Sequence, residues 1–144
     1  MKVALRPRPS IPSIELAKNI AQTALDQKGL DVALINLSGL ASYTDYIIVI
    51  SGTSDRHVQG IADKIERNSR EFGEYPSSKT GIEASEWVVM DYGDVVVHIF
   101  YEPLRSLYGI DRMWEHAPRI GLSAEYEVVR KSLRTGMFAC LEGS

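Results

Sequence analysis

Cysteine is almost absent from this chain, since its 144 residues include one cysteine, Cys140. One cysteine cannot form an internal disulfide or a thiolate metal cluster, so a reducing compartment is expected. Long apolar runs are also missing: no segment approaches the ~18 consecutive apolar residues of a membrane span. Residues 1–13 lack the apolar stretch of a signal peptide. We therefore expect a cytoplasmic protein with no membrane partner.

The body of the chain has fewer basic than acidic residues. Residues 14–114 hold 9 basic and 15 acidic residues, a net charge of −6, whereas residues 1–13 carry +3 and residues 115–144 are neutral. Nucleic-acid backbones are bound by clustered lysine and arginine, so direct nucleic-acid binding is not expected to dominate. An acidic body suits a basic protein partner. A solvated surface that aids solubility explains it equally well.

The composition that is present, 44% hydrophobic and 24% charged, is ordinary for one globular domain. Three prolines indicate a flexible basic leader over residues 1–13. Apolar residues at three- and four-residue steps predict a helix with Ser13 as its N-cap and Gly29 at its end. The same spacing predicts a second helix over residues 55–72, capped by Ser54.

Three segments rich in apolar residues indicate β-strands. They lie at residues 31–37, at 46–50 and in a hairpin over 87–101. With the helices, this order predicts an α/β fold with a mixed β-sheet flanked by helices. Strand 46–50, helix 55–72 and strand 87–91 are expected to form one crossover of parallel strands.

The hairpin and the segments after it end in recognisable turns. The hairpin turn is predicted at Tyr92 and Gly93, where glycine supplies the positive φ of a two-residue turn. A short third helix is predicted after Pro103, with a break at Gly109. Residues 115–144 form a tail of unknown role with a weak, partly helical pattern.

Two groups of polar residues suggest chemistry. Residues 51–54 join a buried strand to a helix N-terminus, which suits either an anion site or a bare turn with a helix cap. Asp45, Asp91 and Asp94 would be metal ligands of a transferase if they converged. Asp91 and Asp94 equally suit hydrogen bonds to the turn that they flank. The three histidines lack metal-ligand spacing, so we expect no metal and no cofactor.

Large and polar side chains also interrupt the hairpin strands. Strand alternation places Trp87 and Asp91 on one face of their strand. His98 shares a face with apolar neighbours, which favours a hydrogen-bonded histidine in the core or at an edge. Trp87, Tyr92 and Tyr101 lie at strand ends, where large aromatics are either core residues or anchors of a protein interface.

An ordered series of motifs at consistent spacing resembles the ribosomal silencing factor family, also called the Iojap family. The resemblance spans residues 14–114. Its segments are Thr44-Asp45, residues 51–58, Trp87 to Phe100, residues 102–108 and Met113-Trp114, where the family usually has Leu-Trp.

The resemblance implies an α/β domain of nucleotidyltransferase-like topology with no established catalytic role. Members of the family bind the fourteenth protein of the large ribosomal subunit and block joining of the small subunit. They thereby lower translation when nutrients are scarce. We expect this chain to be such a repressor and not an enzyme. Pro103 and Ile110-Asp111 depart from the family pattern, which leaves the start of the last helix open.

The resemblance also suggests which residues matter. The hairpin and its flank are expected to form the ribosomal contact, with Glu102 and Arg105 as its rim or its support. Self-association through an unpaired strand edge is expected as well, which would give a homodimer. The expected contact residues are Trp87, Asp91, Tyr92, Tyr101, Glu102 and Arg105. The family-pattern residues with a structural or binding role are Asp45, Ser54, Arg56, His57, Asp94, His98 and Tyr108.

Two other functions fit the same residues. A nucleotide-dependent transferase of the same topology would place Ser54 on a phosphate and Asp45, Asp91 and Asp94 on a metal. A large-subunit assembly factor would contact the large subunit during maturation without blocking subunit joining.

Overall fold

A five-stranded mixed sheet with two long helices on one face forms the fold of residues 11–122, which the computed structural model describes. Cys140, most of the predicted leader and the predicted helical part of the tail lie outside these residues. No helix within the described part is long and apolar enough to cross a bilayer. The elements are α1 (Ser13–Asp26), β1 (Leu30–Asn36), β2 (Tyr46–Gly52), α2 (Asp55–Arg70), β3 (Ser78–Thr80), β4 (Trp87–Asp91), β5 (Val95–Tyr101), α3 (Glu102–Tyr108) and α4 (Ile110–Met113).

The strand order in the sheet is β1-β2-β5-β4-β3. β2 and β5 are parallel, and the other neighbouring pairs are antiparallel. The predicted α/β fold with a mixed sheet is therefore confirmed, while its nucleotidyltransferase-like topology stays a prediction. The predicted crossover is wrong in one respect, because β2 pairs with β5 and not with β4. β5 takes the central place since all but its last residue are buried, whereas the residues of β4 alternate between buried and half-buried.

The two faces of the sheet are covered differently. α1 and α2 pack over one face, which holds Val88 and Met90 of β4 in a large apolar core. The other face carries a smaller cluster around Phe100, covered by α4 and by residues near Ala117. Trp87 packs against this second cluster. The predicted alternation of side chains along β4 is thus confirmed, and it leaves Trp87 only partly covered.

The ends of α1 differ from the prediction. Ser13 is already helical and Pro12 is the N-cap, so the predicted capping role of Ser13 is wrong. Its hydroxyl instead donates to Asp94 Oδ2 at 2.9 Å. At the other end Lys28 takes the left-handed conformation, with φ of 63°. Gly29 follows it, and a Cβ there would lie 2.9 Å from the carbonyl oxygen of Ala24. Glycine is therefore needed at this position for close packing.

The hairpin turn lies one residue later than predicted. The Tyr92 N–H donates to the Val95 carbonyl at 2.8 Å, so Gly93 and Asp94 are the two turn residues. Gly93 has φ of 93°, as the first position of such a turn favours. The Asp91 carboxylate accepts the Gly93 N–H at 2.7 Å. Tyr92 thereby belongs to the strand end, and its side chain points into the core.

Tyr92 is a core residue, so its predicted contact role is wrong. Its side chain is buried, with 2% of the residue exposed, and its hydroxyl is 2.9 Å from Ser69 Oγ on α2. Burial raises the pKa of Tyr92 to about 12. The position of a large aromatic at a strand end suggested an interface anchor. At Tyr92 it reflects packing of the side chain beneath α2.

Replacing Tyr92 by phenylalanine should lower the free energy of unfolding by about 1 kcal/mol, because the buried hydrogen bond between the Tyr92 hydroxyl and Ser69 Oγ is lost. Urea unfolding at neutral pH measures this loss. Tyr75→Phe is the matched control, since Tyr75 is 57% exposed. Loss of the Tyr75 hydroxyl should change the free energy of unfolding by less than about 0.5 kcal/mol. Equal effects of the two variants would contradict a structural role for the Tyr92 hydroxyl.

The outer strands of the sheet end differently. β3 was not predicted, because its three exposed residues carry no apolar pattern. β3 is the outermost strand at one side of the sheet, and its edge is short and open. At the other side the backbone near Pro118 and Ile120 bonds β1: the Asn36 N–H donates to Pro118 at 2.8 Å, and the Ile120 N–H donates to Leu34 at 2.8 Å. The first residues of the predicted tail therefore pack along β1.

Candidate functional site

Three stacked aromatic rings lie where the hairpin meets α3. Trp87 of β4 pairs with Phe100 of β5 across the sheet, and their ring centroids are 5.2 Å apart. Tyr108, the last residue of α3, packs on the Trp87 ring at 4.4 Å. Phe100 is fully buried, whereas Trp87 is half-buried and Tyr108 is 42% exposed. The rings thus run from the core to the surface.

His98 fixes the orientation of the Trp87 indole. The Trp87 Nε1–H donates to His98 Nδ1 at 3.0 Å. His98 is 8% exposed, and burial lowers its pKa to about 4. The imidazole is therefore neutral at physiological pH, with Nδ1 free of a proton and able to accept. The prediction of a hydrogen-bonded histidine is confirmed, and His98 lies in the core.

α3 presents apolar side chains to solvent next to this ring stack. Leu107 is 70% exposed and Tyr108 is 42% exposed, and α3 has no buried residue. Exposed tryptophan and tyrosine side chains are typical anchors of protein interfaces, and an exposed leucine beside them enlarges the apolar patch. We call Trp87, Leu107 and Tyr108 the contact surface. Sequence reasoning missed Leu107, because a seven-residue helix is too short for its exposed face to be recognised from periodicity.

Two of the other predicted contact residues, Tyr101 and Asp91, lie apart from this surface. Tyr101 is 37% exposed, but it follows Phe100 in an extended strand and points to the opposite side of the sheet. Asp91 lies at the far end of β4 from Trp87, where its carboxylate supports the hairpin turn. Glu102 is exposed in the first turn of α3. The predicted hairpin face is therefore not one continuous surface.

Arg105 is engaged inside the molecule. Its side chain is 13% exposed, and its guanidinium nitrogens bond the Asp111 carboxylate, the Asp31 carbonyl and Ser51 Oγ. The sequence left two roles open for Arg105, the rim of the contact or its structural support. The geometry matches structural support.

The turn between β2 and α2 uses its own side chains to satisfy its N–H groups. Ser54 accepts the His57 N–H at 3.0 Å, which confirms Ser54 as the N-cap. The Thr53 N–H donates to His57 Nδ1 at 2.9 Å, and the Arg56 N–H donates to Asp55 Oδ1 at 2.7 Å. His57 Nε2 bonds the carbonyl at the end of α1. Bound in this way, these amides offer little to a phosphate, although the Arg56 side chain is exposed.

Two of the three aspartates considered as metal ligands use their carboxylates in hydrogen bonds, and Asp45 contacts the turn through its backbone. The Asp94 carboxylate accepts from Ser13, and the Asp91 carboxylate accepts from Gly93. The Asp45 N–H donates to the Asp94 carbonyl at 3.0 Å. Within residues 11–122 no group of three histidine, cysteine, aspartate or glutamate residues is placed to hold a metal ion. The Asp91 carboxylate therefore supports the hairpin turn as predicted, whereas the Asp94 carboxylate bonds Ser13 of α1 and no amide of the turn.

Known proteins resemble this chain in sequence and in fold. The sequence pattern of a family described as "Ribosomal silencing factor during starvation" matches residues 10–137. "Ribosomal silencing factor RsfS" of Zymomonas mobilis is 35% identical over 99 residues, which are 69% of this chain and 74% of that protein. "Mitochondrial assembly of ribosomal large subunit protein 1" of Mus musculus is 26% identical over 87 residues, 58% of this chain and 38% of that protein.

A solved structure gives the same picture. The crystal structure of a protein from Chromobacterium violaceum superposes with a TM-score of 0.71 at 30% identity, covering 79% of this chain and 94% of that chain. This chain therefore shares the arrangement of its mixed sheet and helices with that protein.

Proposed function

Because the chain belongs to the ribosomal silencing factor family, we propose that it is a cytoplasmic translational repressor. In this proposal it binds the large ribosomal subunit through a basic ribosomal protein, the fourteenth of that subunit as the resemblance implies. It then blocks joining of the small subunit by occupying the space between the subunits. No catalytic step is needed, because occupancy alone prevents joining.

The exposed contact surface is the observation that carries this proposal. The Trp87 and Tyr108 rings are in tilted contact, with centroids 4.4 Å apart, and Leu107, which precedes Tyr108 in the same helix, is 70% exposed. Such a rigid aromatic pair with an aliphatic neighbour loses little side-chain entropy on binding. It suits a protein partner better than a small ligand, because it lies on an open surface.

Acidic residues flank the contact surface and favour a basic partner. Glu86 precedes Trp87, and Glu102 begins α3; both are exposed. Residues 14–114 have a net charge of −6. Ribosomal proteins are basic, so this charge would accelerate encounter with one of them and disfavour bare RNA. A second copy of the chain pairing at the open edge of β3 would add the homodimer that the sequence suggested.

Co-sedimentation with purified ribosomal subunits tests the proposal. We expect the protein to pellet with isolated large subunits, and to be depleted from joined ribosomes. Pre-bound protein should reduce the fraction of large subunits that join when small subunits are added. Equal amounts on joined ribosomes would exclude occlusion, and absence from large subunits would exclude the binding step itself.

An assembly factor is the second candidate, favoured by the name of the mouse relative. The same gradients separate the two functions. An assembly factor would concentrate on immature large subunits and leave subunit joining unaffected, whereas a silencing factor binds mature large subunits and lowers joining.

A further inference from the structure

α3 carries two of the three contact-surface residues, yet little holds it in place. It has seven residues, none of them buried. A helix of this length is not stable by itself in water. Its position therefore depends on the side chains that tie it to the rest of the fold. Tyr108 packs on Trp87 and Phe100 at the end of α3, and Arg105 reaches inward from its middle.

The Arg105 guanidinium joins α3 to three other elements. Nε and Nη2 donate to the two carboxylate oxygens of Asp111 on α4, at 2.8 Å and 3.0 Å. Nη1 donates to the Asp31 carbonyl on β1 at 2.7 Å and to Ser51 Oγ on β2 at 2.9 Å. This uses the planar fork of arginine on one carboxylate and its remaining nitrogen on the sheet.

Two of the three acceptors of this clamp, Asp31 and Asp111, are themselves unusual. Asp31 has φ of 46° and lies at the register shift between β1 and β2, which turns its carbonyl toward Arg105. Burial acts to raise the pKa of Asp111, but the hydrogen bonds and charges of Arg105 and Arg119 outweigh it and keep the pKa below its usual value. Asp111 is therefore ionised at neutral pH and remains a charge-assisted partner for Arg105.

We propose that Arg105 is a positioning residue for partner binding. Its clamp holds α3 so that Leu107 and Tyr108 stand beside Trp87 as one surface. Arg105 itself touches no partner, because its side chain is 13% exposed and each of its guanidinium nitrogens is already bonded. The inference rests on the proposed binding of the large subunit and adds how the contact surface is kept in shape.

Arg105→Lys is the decisive variant, because lysine keeps the charge but cannot reproduce the two-oxygen fork. We expect its affinity for isolated large subunits to fall by roughly 10-fold. Amides of residues 102–108 should exchange hydrogen faster than in the unmodified protein. Arg112→Lys is the matched control, since Arg112 is an exposed arginine on α4, and it should change neither measurement. If Arg105→Lys folds poorly, Asp111→Asn serves instead, because it removes the charge of the carboxylate that pairs with Arg105. It should reproduce both the lower affinity and the faster hydrogen exchange.

The outcomes separate this inference from the proposed function. If Arg105→Lys binds like the unmodified protein while Leu107→Lys does not, the positioning role is wrong and the contact surface stands. If affinity falls without faster exchange in α3, Arg105 acts as a contact and the positioning role is again wrong. If the unmodified protein fails to bind large subunits, both proposals are overturned together.

Discussion

Replacing Leu107 by lysine should weaken binding to isolated large subunits by at least about 30-fold, or ~2 kcal/mol. Leu107 is 70% exposed, so the change should alter the free energy of unfolding by less than about 0.5 kcal/mol. The loss arises because an apolar anchor is removed and a cation is placed against a basic partner. Titration of labelled protein with large subunits at fixed salt measures the affinity.

Leu40→Lys is the matched control for this variant. Leu40 is 57% exposed and lies in the loop that precedes β2. β2 and β5 are parallel, and α3 follows β5, so Leu40 and Leu107 lie at opposite ends of the sheet. We expect Leu40→Lys to bind with unchanged affinity. A loss at Leu40 and none at Leu107 would move the contact to the other end of the molecule.

The sequence predicts well those helices and strands that are marked by a pattern within their own residues. α2 was predicted from its apolar spacing and from Ser54, and the structure shows both the helix and the cap. The faces of β4 followed from strand alternation. The turn of the hairpin was misplaced by one residue, because Gly93 can occupy either position of a two-residue turn and only the Tyr92–Val95 bond decides. Local patterns therefore give elements, with errors at their ends.

The neighbours of each strand required the whole chain. Nothing within β2 shows that its parallel partner is β5, since the sequence of β4 is equally compatible with a parallel neighbour. β3 was missed because exposed residues pair there through backbone bonds alone. The sheet order is decided by which strand can be buried on both faces, and that is a property of the complete packing.

The candidate site was predicted only in part, for the same reason. Trp87 and Tyr92 are both large aromatics at strand ends, and the sequence does not distinguish them. Trp87 is half-buried on the face of the sheet that carries the Phe100 cluster, whereas Tyr92 lies beneath α2. Arg105 bonds Ser51 and Asp31, which are 54 and 74 residues away in sequence. Pairings at such distances leave no mark in a single sequence. The family resemblance identified the region but not the role of each residue in it.

Lowering the pH from 7 to 4 should destabilise the protein through His98 by about 3 kcal/mol. In the folded state burial lowers the pKa of His98 to about 4, below the 6.5 of an unfolded histidine. Between these values the unfolded chain binds a proton that the folded chain rejects, so stability is fully present above pH 6.5 and is lost as pH falls toward 4. Urea unfolding across this range measures the loss.

His98→Gln isolates this contribution, because glutamine offers an acceptor to Trp87 and does not titrate. Between pH 7 and pH 4, the free energy of unfolding of this variant should fall by about 3 kcal/mol less than that of the unmodified protein. His116→Gln is the control: the His116 side chain is 95% exposed, and its removal should leave the pH profile unchanged. If all three profiles coincide, His98 is protonated as easily in the folded state as in the unfolded state. The indole of Trp87 would then lose its acceptor in mild acid, and the bond to His98 could not be what holds the contact surface rigid.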